Sequence, residues 1–297
     1  MSSFLLLSDL SLFQHRMFLS LRVVFFLSVL LPALALASGS GNEKISRLLP
    51  DGFELTEVLE QMAMPELYPS KLGLVMSRYY KALGGLENWS QIKSLKITGE
   101  LIAANKGEPL SYVSISKKPN LLKMEIEAAS SSSSEEGEEG GYALSFDGQN
   151  AWMKFFSEKS AIRLDSDDSK VRLLKQSAEF TSLLLFPFRS GKSFEYLGTT
   201  REENSVCHWI RVRTKSQFIV DYYIDAQYYK EVKVVLNDSL SSEGGLTIQY
   251  LDYKTIDGIP IAHKVITEKA GQEESRLIIN SVEKNVGVLK WMFELNH

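Results

Sequence analysis

The chain has 297 residues, with 33 Lys and Arg against 37 Asp and Glu, 44% hydrophobic and 24% charged residues. This is the balance of an ordinary folded chain, and it excludes wholesale disorder, collagen-like repeats and a polytopic membrane protein. A net charge of -4 without a block of Lys and Arg argues against a nucleic-acid binder, and the single cysteine, Cys207, excludes an intrachain disulfide and any paired-cysteine zinc or redox motif.

Arg22 precedes an apolar run at 23–36 that is interrupted only by Ser28 and Pro32, and the run closes on Ala35-Leu36-Ala37 before Ser38-Gly39-Ser40. A basic n-region, an apolar core and small residues at the -3 and -1 positions predict a secretory signal peptide over 1–37, cleaved after Ala37, with Met17 as an alternative start. The competing reading, a membrane anchor, needs ~20 apolar residues, which is more than the run holds. No cysteine stands at the cleavage point, so no lipid-modified N-terminus is expected. The product is expected in a bacterial periplasm.

Residues 38–50 are polar and turn-rich and read as a linker, with one domain over 51–297. Apolar spacing predicts a short helix at 53–64. A second helix follows, capped by Ser70, carrying Leu72, Leu74, Val75, Tyr79, Ala82 and Leu83, and stopped by Gly84-Gly85. After Ser94 the period changes to 2. Leu95, Ile97, Gly99 and Leu101 alternate with polar neighbours; Val113 and Ile115 follow, then Leu122, Met124 and Ile126 beyond the Pro119-Asn120 turn. This is the pattern of antiparallel strands with one apolar face.

Residues 129–141 are a Ser/Glu/Gly tract without periodicity, expected to be a solvated loop and not a calcium site. Strands resume at 142–146 and 151–156, the second bearing Trp152, on either side of the turn at 147–150. A helical stretch at 166–180 interrupts them. Leu183, Leu184, Leu185, Phe186 and Phe188 then cluster around Pro187, either buried beneath the sheet or forming a flap over a cavity. Seven further strands are expected between 194 and 282, joined by connections short enough to force antiparallel hairpins. The expected fold is mainly β (α+β), a strongly curved antiparallel sheet or unclosed β-barrel of 11–12 strands with helices over its mouth.

No catalytic constellation stands out. Gly191-Lys192-Ser193 resembles the end of a phosphate-binding loop, but Phe186 occupies the position of the required glycine. His208 and His263 share parity with apolar neighbours and read as packed core residues before they read as bases. No cofactor or metal site is expected.

What stands out is apolar. Phe218, Val220, Tyr222 and Ile224 share one parity with Val232, Val234 and Leu236, then Leu246, Ile248 and Tyr250, then Leu277 and Ile279. These side chains either fill a closed core or line a pocket for an acyl chain, in which each buried methylene contributes ~0.8 kcal/mol. In the pocket reading the lining is Leu95, Ile97, Val113, Ile115, Met124, Ile126, Trp152, Phe218, Val220, Tyr222, Val232, Val234, Ile248, Tyr250 and Ile279, and Leu183, Leu184 and Phe186 form a lid.

Several turn and strand-edge strings between Val75 and Phe293 carry a family resemblance. They are Tyr80-Lys81-Ala82-Leu83-Gly84-Gly85-Leu86-Glu87, Lys118-Pro119-Asn120, Phe146-Asp147-Gly148-Gln149-Asn150-Ala151-Trp152, Tyr196-Leu197-Gly198-Thr199, and Tyr253-Lys254-Thr255-Ile256-Asp257-Gly258-Ile259-Pro260. Together with the signal peptide they make the chain resemble the periplasmic lipoprotein-carrier superfamily, the outer-membrane lipoprotein-sorting proteins typified by LolA and LolB. The resemblance implies an unclosed antiparallel barrel with helices as a lid over an apolar cavity. It implies a non-enzymatic carrier for the acyl chains of lipoproteins or lipids, with membrane-associated donor and acceptor proteins as partners. The alternative is a structural or regulatory protein-binding domain on the same fold with a filled core.

Overall fold

A computed structural model describes residues 70–104, 108–128, 140–166, 168–180, 182–184, 191–240 and 245–295. The signal peptide, the linker, the helix expected at 53–64, nearly all of the Ser/Glu/Gly loop and Phe186 lie outside the described residues.

Thirteen strands form one antiparallel sheet. The first meander is β1 (Ser94–Ala103), β2 (Pro109–Lys117), β3 (Leu121–Ala128), β4 (Tyr142–Phe146), β5 (Ala151–Phe155) and β6 (Ile162–Arg163). The second is β7 (Ser193–Glu202), β8 (Ser205–Arg213), β9 (Phe218–Asp225), β10 (Glu231–Asp238), β11 (Leu246–Ile256), β12 (Ile259–Lys269) and β13 (Gln272–Lys284). Helices α1 (Ser70–Ala82) and α2 (Leu86–Ser90) precede the first meander, α3 (Ser169–Ala178) joins the two, and a 3-10 turn, Lys290–Phe293, follows the second. The thirteenth strand, beyond the 11–12 expected, is the two-residue β6, too short to show any alternation.

Each strand pairs with its sequence neighbour, and the two meanders join where β1 pairs with β13. The sheet is therefore not closed: β6 and β7 are its two free edges. They are also consecutive strands, so the link between them must pass from one edge to the other across the open side. That link carries α3 and residues 182–184, which explains why a β meander contains a helix at this point. The architecture is an unclosed, curved barrel with helical cover.

The concave face takes one parity of nearly every strand, including Leu101, Val220, Ile224, Val265 and Leu277, all fully buried. In α1 the buried positions Leu72, Val75, Met76, Tyr79 and Leu83 recur at three- and four-residue spacing and face this core. Leu74, expected on the same apolar face, is instead 48% exposed. Gly84, at φ +93°, ends the helix against the β11–β12 turn, where a Cβ would stand 2.2 Å from the Gly258 carbonyl oxygen.

A smaller cluster lies on the convex face. Residues after β13 run back over β2–β4, so that Leu121, Val288 and Phe293 pack together with Ile115 beside them. Ser145 Oγ donates to the Phe293 carbonyl at 2.6 Å, and every residue of β4 is buried because this tail covers its outer side.

Candidate functional site

The sheet's concave face is the floor of the candidate site. Leu95, Ile97, Met124, Ile126, Phe218, Val220, Tyr222, Val234, Ile248, Tyr250 and Ile279 are buried there in one continuous apolar cluster. The roof consists of the inner face of α1, Val171, Leu174 and Ala178 of α3, and Leu183 and Leu184. Roof and floor fit closely: Val220, Tyr222, Val234 and Leu277 have no exposed surface, so no water-sized gap adjoins them.

Four expected lining residues lie elsewhere. Val113 and Ile115 are half-buried on the convex face, because the β1–β2 register places Tyr112 opposite Gly99 and Ser114 opposite Ile97 on the inner face. Two interleaved sets of β2 residues could both pass for apolar, and the C-terminal tail gives Ile115 an outer partner. Trp152 is also half-buried and outward; Ala151 and Met153 point inward, and the Trp152 Nε1 donates to Asp147 Oδ2 at 2.9 Å. Burial pushes the Asp147 carboxyl up, but donors from Asn150, Trp152 and Gln149 outweigh it and hold the group below its ordinary value. Val232 sits in a register shift between Glu231 and Lys233, half-buried, while Glu231 takes the fully covered position.

That displacement creates the main polar feature of the site. Glu231 is buried amid apolar and phenolic side chains, and its Oε1 accepts hydrogen bonds from Tyr79 Oη of α1 at 2.5 Å and from Ser182 Oγ at 3.0 Å. The Ser182 hydroxyl also accepts from the Leu184 N–H at 3.3 Å, Tyr222 Oη accepts from the Leu183 N–H at 3.3 Å, and Tyr80 Oη donates to the Leu184 carbonyl at 2.8 Å. Tyr253 Oη donates to the Glu231 carbonyl at 2.8 Å. One carboxyl thus ties together strand β10, helix α1 and the 182–184 segment. Burial pushes its pKa up to about 7, against the opposing pull of the Tyr79 and Ser182 hydrogen bonds. Burial likewise raises Tyr79, with the Glu231 charge adding to it.

At the β7–β8 rim, His208 Nδ1 lies 3.1 Å from Tyr196 Oη, and its ring stacks on Tyr229 at 5.6 Å. Arg78 of α1 donates to Tyr229 Oη at 2.7 Å. Burial, then the charges of Lys71 and Arg78, hold His208 below its ordinary pKa. His263 is buried with Nδ1 2.9 Å from the Ile261 carbonyl oxygen. Both histidines are therefore packed among hydrogen-bond partners inside the fold.

A cleft of about 370 Å³ opens on the flank between α3 and the β4–β5 turn, lined by Asn150, Arg163, Asp165, Ser166 and Lys175 among others. Its walls are polar and suit water or small ions better than hydrocarbon. Among the described residues no cluster of His, Cys, Asp and Glu could hold a metal, and no helix is long and apolar enough to cross a membrane.

Sequence reasoning missed Glu231 because strict alternation assigns the inward position to Val232. No signal in the alternation marks it, since Glu231 shares its parity with Lys233 and Asn237 and reads as part of the wet face.

No protein-family model matches the sequence, and no curated protein does. Solved structures do match. A putative outer membrane lipoprotein-sorting protein domain from Vibrio parahaemolyticus is 13% identical, with a TM-score of 0.51 over 74% of this chain and 94% of that one. A DUF1329 family protein from Desulfovibrio piger is 11% identical, with a TM-score of 0.50 over 74% and 95%. A LolA superfamily protein from Nitrosomonas europaea is 16% identical, with a TM-score of 0.47 over 68% and 89%. At such identities the likeness speaks to architecture alone: the chain shares the fold of the Vibrio lipoprotein-sorting domain and of the DUF1329 protein.

Proposed function

We propose that this protein is a non-enzymatic carrier that shields the acyl chains of lipids or lipoproteins outside the cytoplasm, between membrane-associated donor and acceptor proteins. The observation that carries this reading is the way the concave face is covered. Its roof is made of α1, α3 and residues 182–184, none of which belongs to the sheet. Lifting the roof would break side-chain contacts and the hydrogen bonds to Glu231 but no strand pairing. An acyl tail of about 14 methylenes gains on the order of 10 kcal/mol when buried, which offsets part of the roof contacts it displaces. In this structure the roof is closed on the floor. The export signal expected at 1–37 supports an extracytoplasmic, periplasmic setting, and the likeness to a lipoprotein-sorting domain supports the cargo class.

A second reading is favoured by one observation, the zero exposure of Val220, Tyr222, Val234 and Leu277. A permanently filled core would make this a protein-binding domain that acts through its surface. Titration with a fluorescent fatty-acyl probe separates the two. The carrier takes up probe saturably, and Tyr79→Phe, which removes a roof bond without removing apolar surface, increases the uptake rate. Absence of uptake by both proteins would overturn the carrier and leave the filled-core domain.

A further inference from the structure

The roof helix has an outer face, and its composition is unlike that of the whole molecule. The chain carries a net charge of -4, yet α1 (SKLGLVMSRYYKA) contains Lys71, Arg78 and Lys81 and no acidic residue. Positions 71, 74, 78 and 81 are spaced by three and four residues and form one stripe, opposite the buried stripe of Leu72, Val75, Met76 and Tyr79. All four are exposed, Leu74 at 48%. Among the described residues no carboxylate lies within ion-pair distance of the three cations, and Arg78 donates to the Tyr229 hydroxyl.

That bond also extends the stripe. Tyr229 lies in the β9–β10 turn, where the neighbouring Tyr228 is 64% exposed. The Ala226 N–H donates to the Val206 carbonyl at 2.8 Å, which brings Val206, 54% exposed, to the same turn. Among the described residues the β7–β8 hairpin tip and the β9–β10 turn carry three carboxylates, one of which, Glu202, is paired with Lys233. Asp225 accepts the Gln227 and Tyr228 N–H groups within the turn, and Glu203 is exposed at the tip of the neighbouring β7–β8 hairpin.

We propose that this face, Lys71, Leu74, Arg78 and Lys81 with Val206 and Tyr228, docks onto the surface of an anionic lipid bilayer. Protruding apolar side chains ringed by cations form the pattern of an interfacial amphipathic helix, in which the apolar groups enter the headgroup region and the cations meet phosphates. Charge complementarity selects an anionic surface over a neutral one. The inference is independent of the carrier reading, since it concerns the roof's outer side and is measured without an acyl probe.

The test uses protein purified after secretion, so that the apolar segment 23–36 does not itself partition, and vesicles of phosphatidylcholine with or without about 30% phosphatidylglycerol. Co-sedimentation is expected with the anionic vesicles and weakens as salt rises. Lys71→Glu with Lys81→Glu lowers partition about tenfold or more, and Leu74→Ser lowers it severalfold. These positions are exposed, so circular dichroism and the urea midpoint stay at the parent level. Equal binding to both vesicle types, no binding at low salt, or undiminished binding by the charge-reversed variant would overturn the proposal. In those cases the face would remain for a second copy or an acidic protein, and gel filtration would reveal the former.

Discussion

Glu231 concentrates the electrostatics of the roof in one carboxyl. In the closed form its pKa is about 7 against an ordinary 4.5, because burial penalises the charged form. With the roof lifted and the carboxyl hydrated, the ordinary value returns. A carboxyl whose pKa is raised in the closed form favours closure below about pH 4.5, and that advantage is lost as pH rises through 7, to a total of about 3 kcal/mol. Alkaline pH therefore favours opening. Tyr79, Tyr222, Tyr250 and Tyr253 are all raised, by burial first, and stay neutral throughout this window. His208 has the opposite sign, since its lowered pKa penalises the closed form toward acid. A variant comparison therefore isolates the carboxyl better than a single profile does. Amide exchange in 71–83 and 182–184, corrected for intrinsic rate, is expected to accelerate up to ~100-fold from pH 5 to pH 8. Glu231→Gln should flatten that rise, and a variant that keeps the parent profile would assign the pH response to another group.

Among the secondary-structure elements, regular alternation was readable and its interruptions were not. The parity of β1, β3 and β11 follows directly from Leu95 and Ile97, Met124 and Ile126, and Ile248 and Tyr250, where polar residues alternate with apolar ones. In β2, Tyr112 and Val113 compete for the same face, and only pairing with Gly99 of β1 decides for the tyrosine. In β10 the register shift inverts the reading after one residue and hides Glu231. The inward side of α1 was legible, but the exposure of Leu74 depends on where the helix lies over the sheet. That placement rests on Gly84, whose positive φ and lack of a Cβ allow the helix end to reach the Gly258 carbonyl. Gly84→Ala is expected to cost about 1–3 kcal/mol in urea denaturation and to raise exchange across α1 more than across β9. A variant as stable as the parent would show that the close approach is not what seats the helix.

The molecule as a whole depends on a single seam. Two meanders that share no other strand pairing among the described residues meet where β1 lies against β13, with Leu101 opposite Leu277 and Gly99 opposite Ile279. Because the concave cluster runs across this seam without a break, neither meander has a core of its own. Loss of packing at the seam should therefore be felt by the whole sheet. Leu101, fully buried beside the seam, and Val113, half-buried on the opposite face of β2, provide a matched contrast. Leu101→Ala removes interior packing and is expected to cost 2–5 kcal/mol, while Val113→Thr keeps its shape on the convex face and should stay within about 1 kcal/mol. Tryptophan fluorescence and far-ultraviolet circular dichroism in urea should report one coincident transition for each protein, at a lower midpoint only for Leu101→Ala. Separate transitions would mean that the meanders fold as independent units. Equal losses from the two substitutions would contradict the assignment of inner and outer faces on which the site rests.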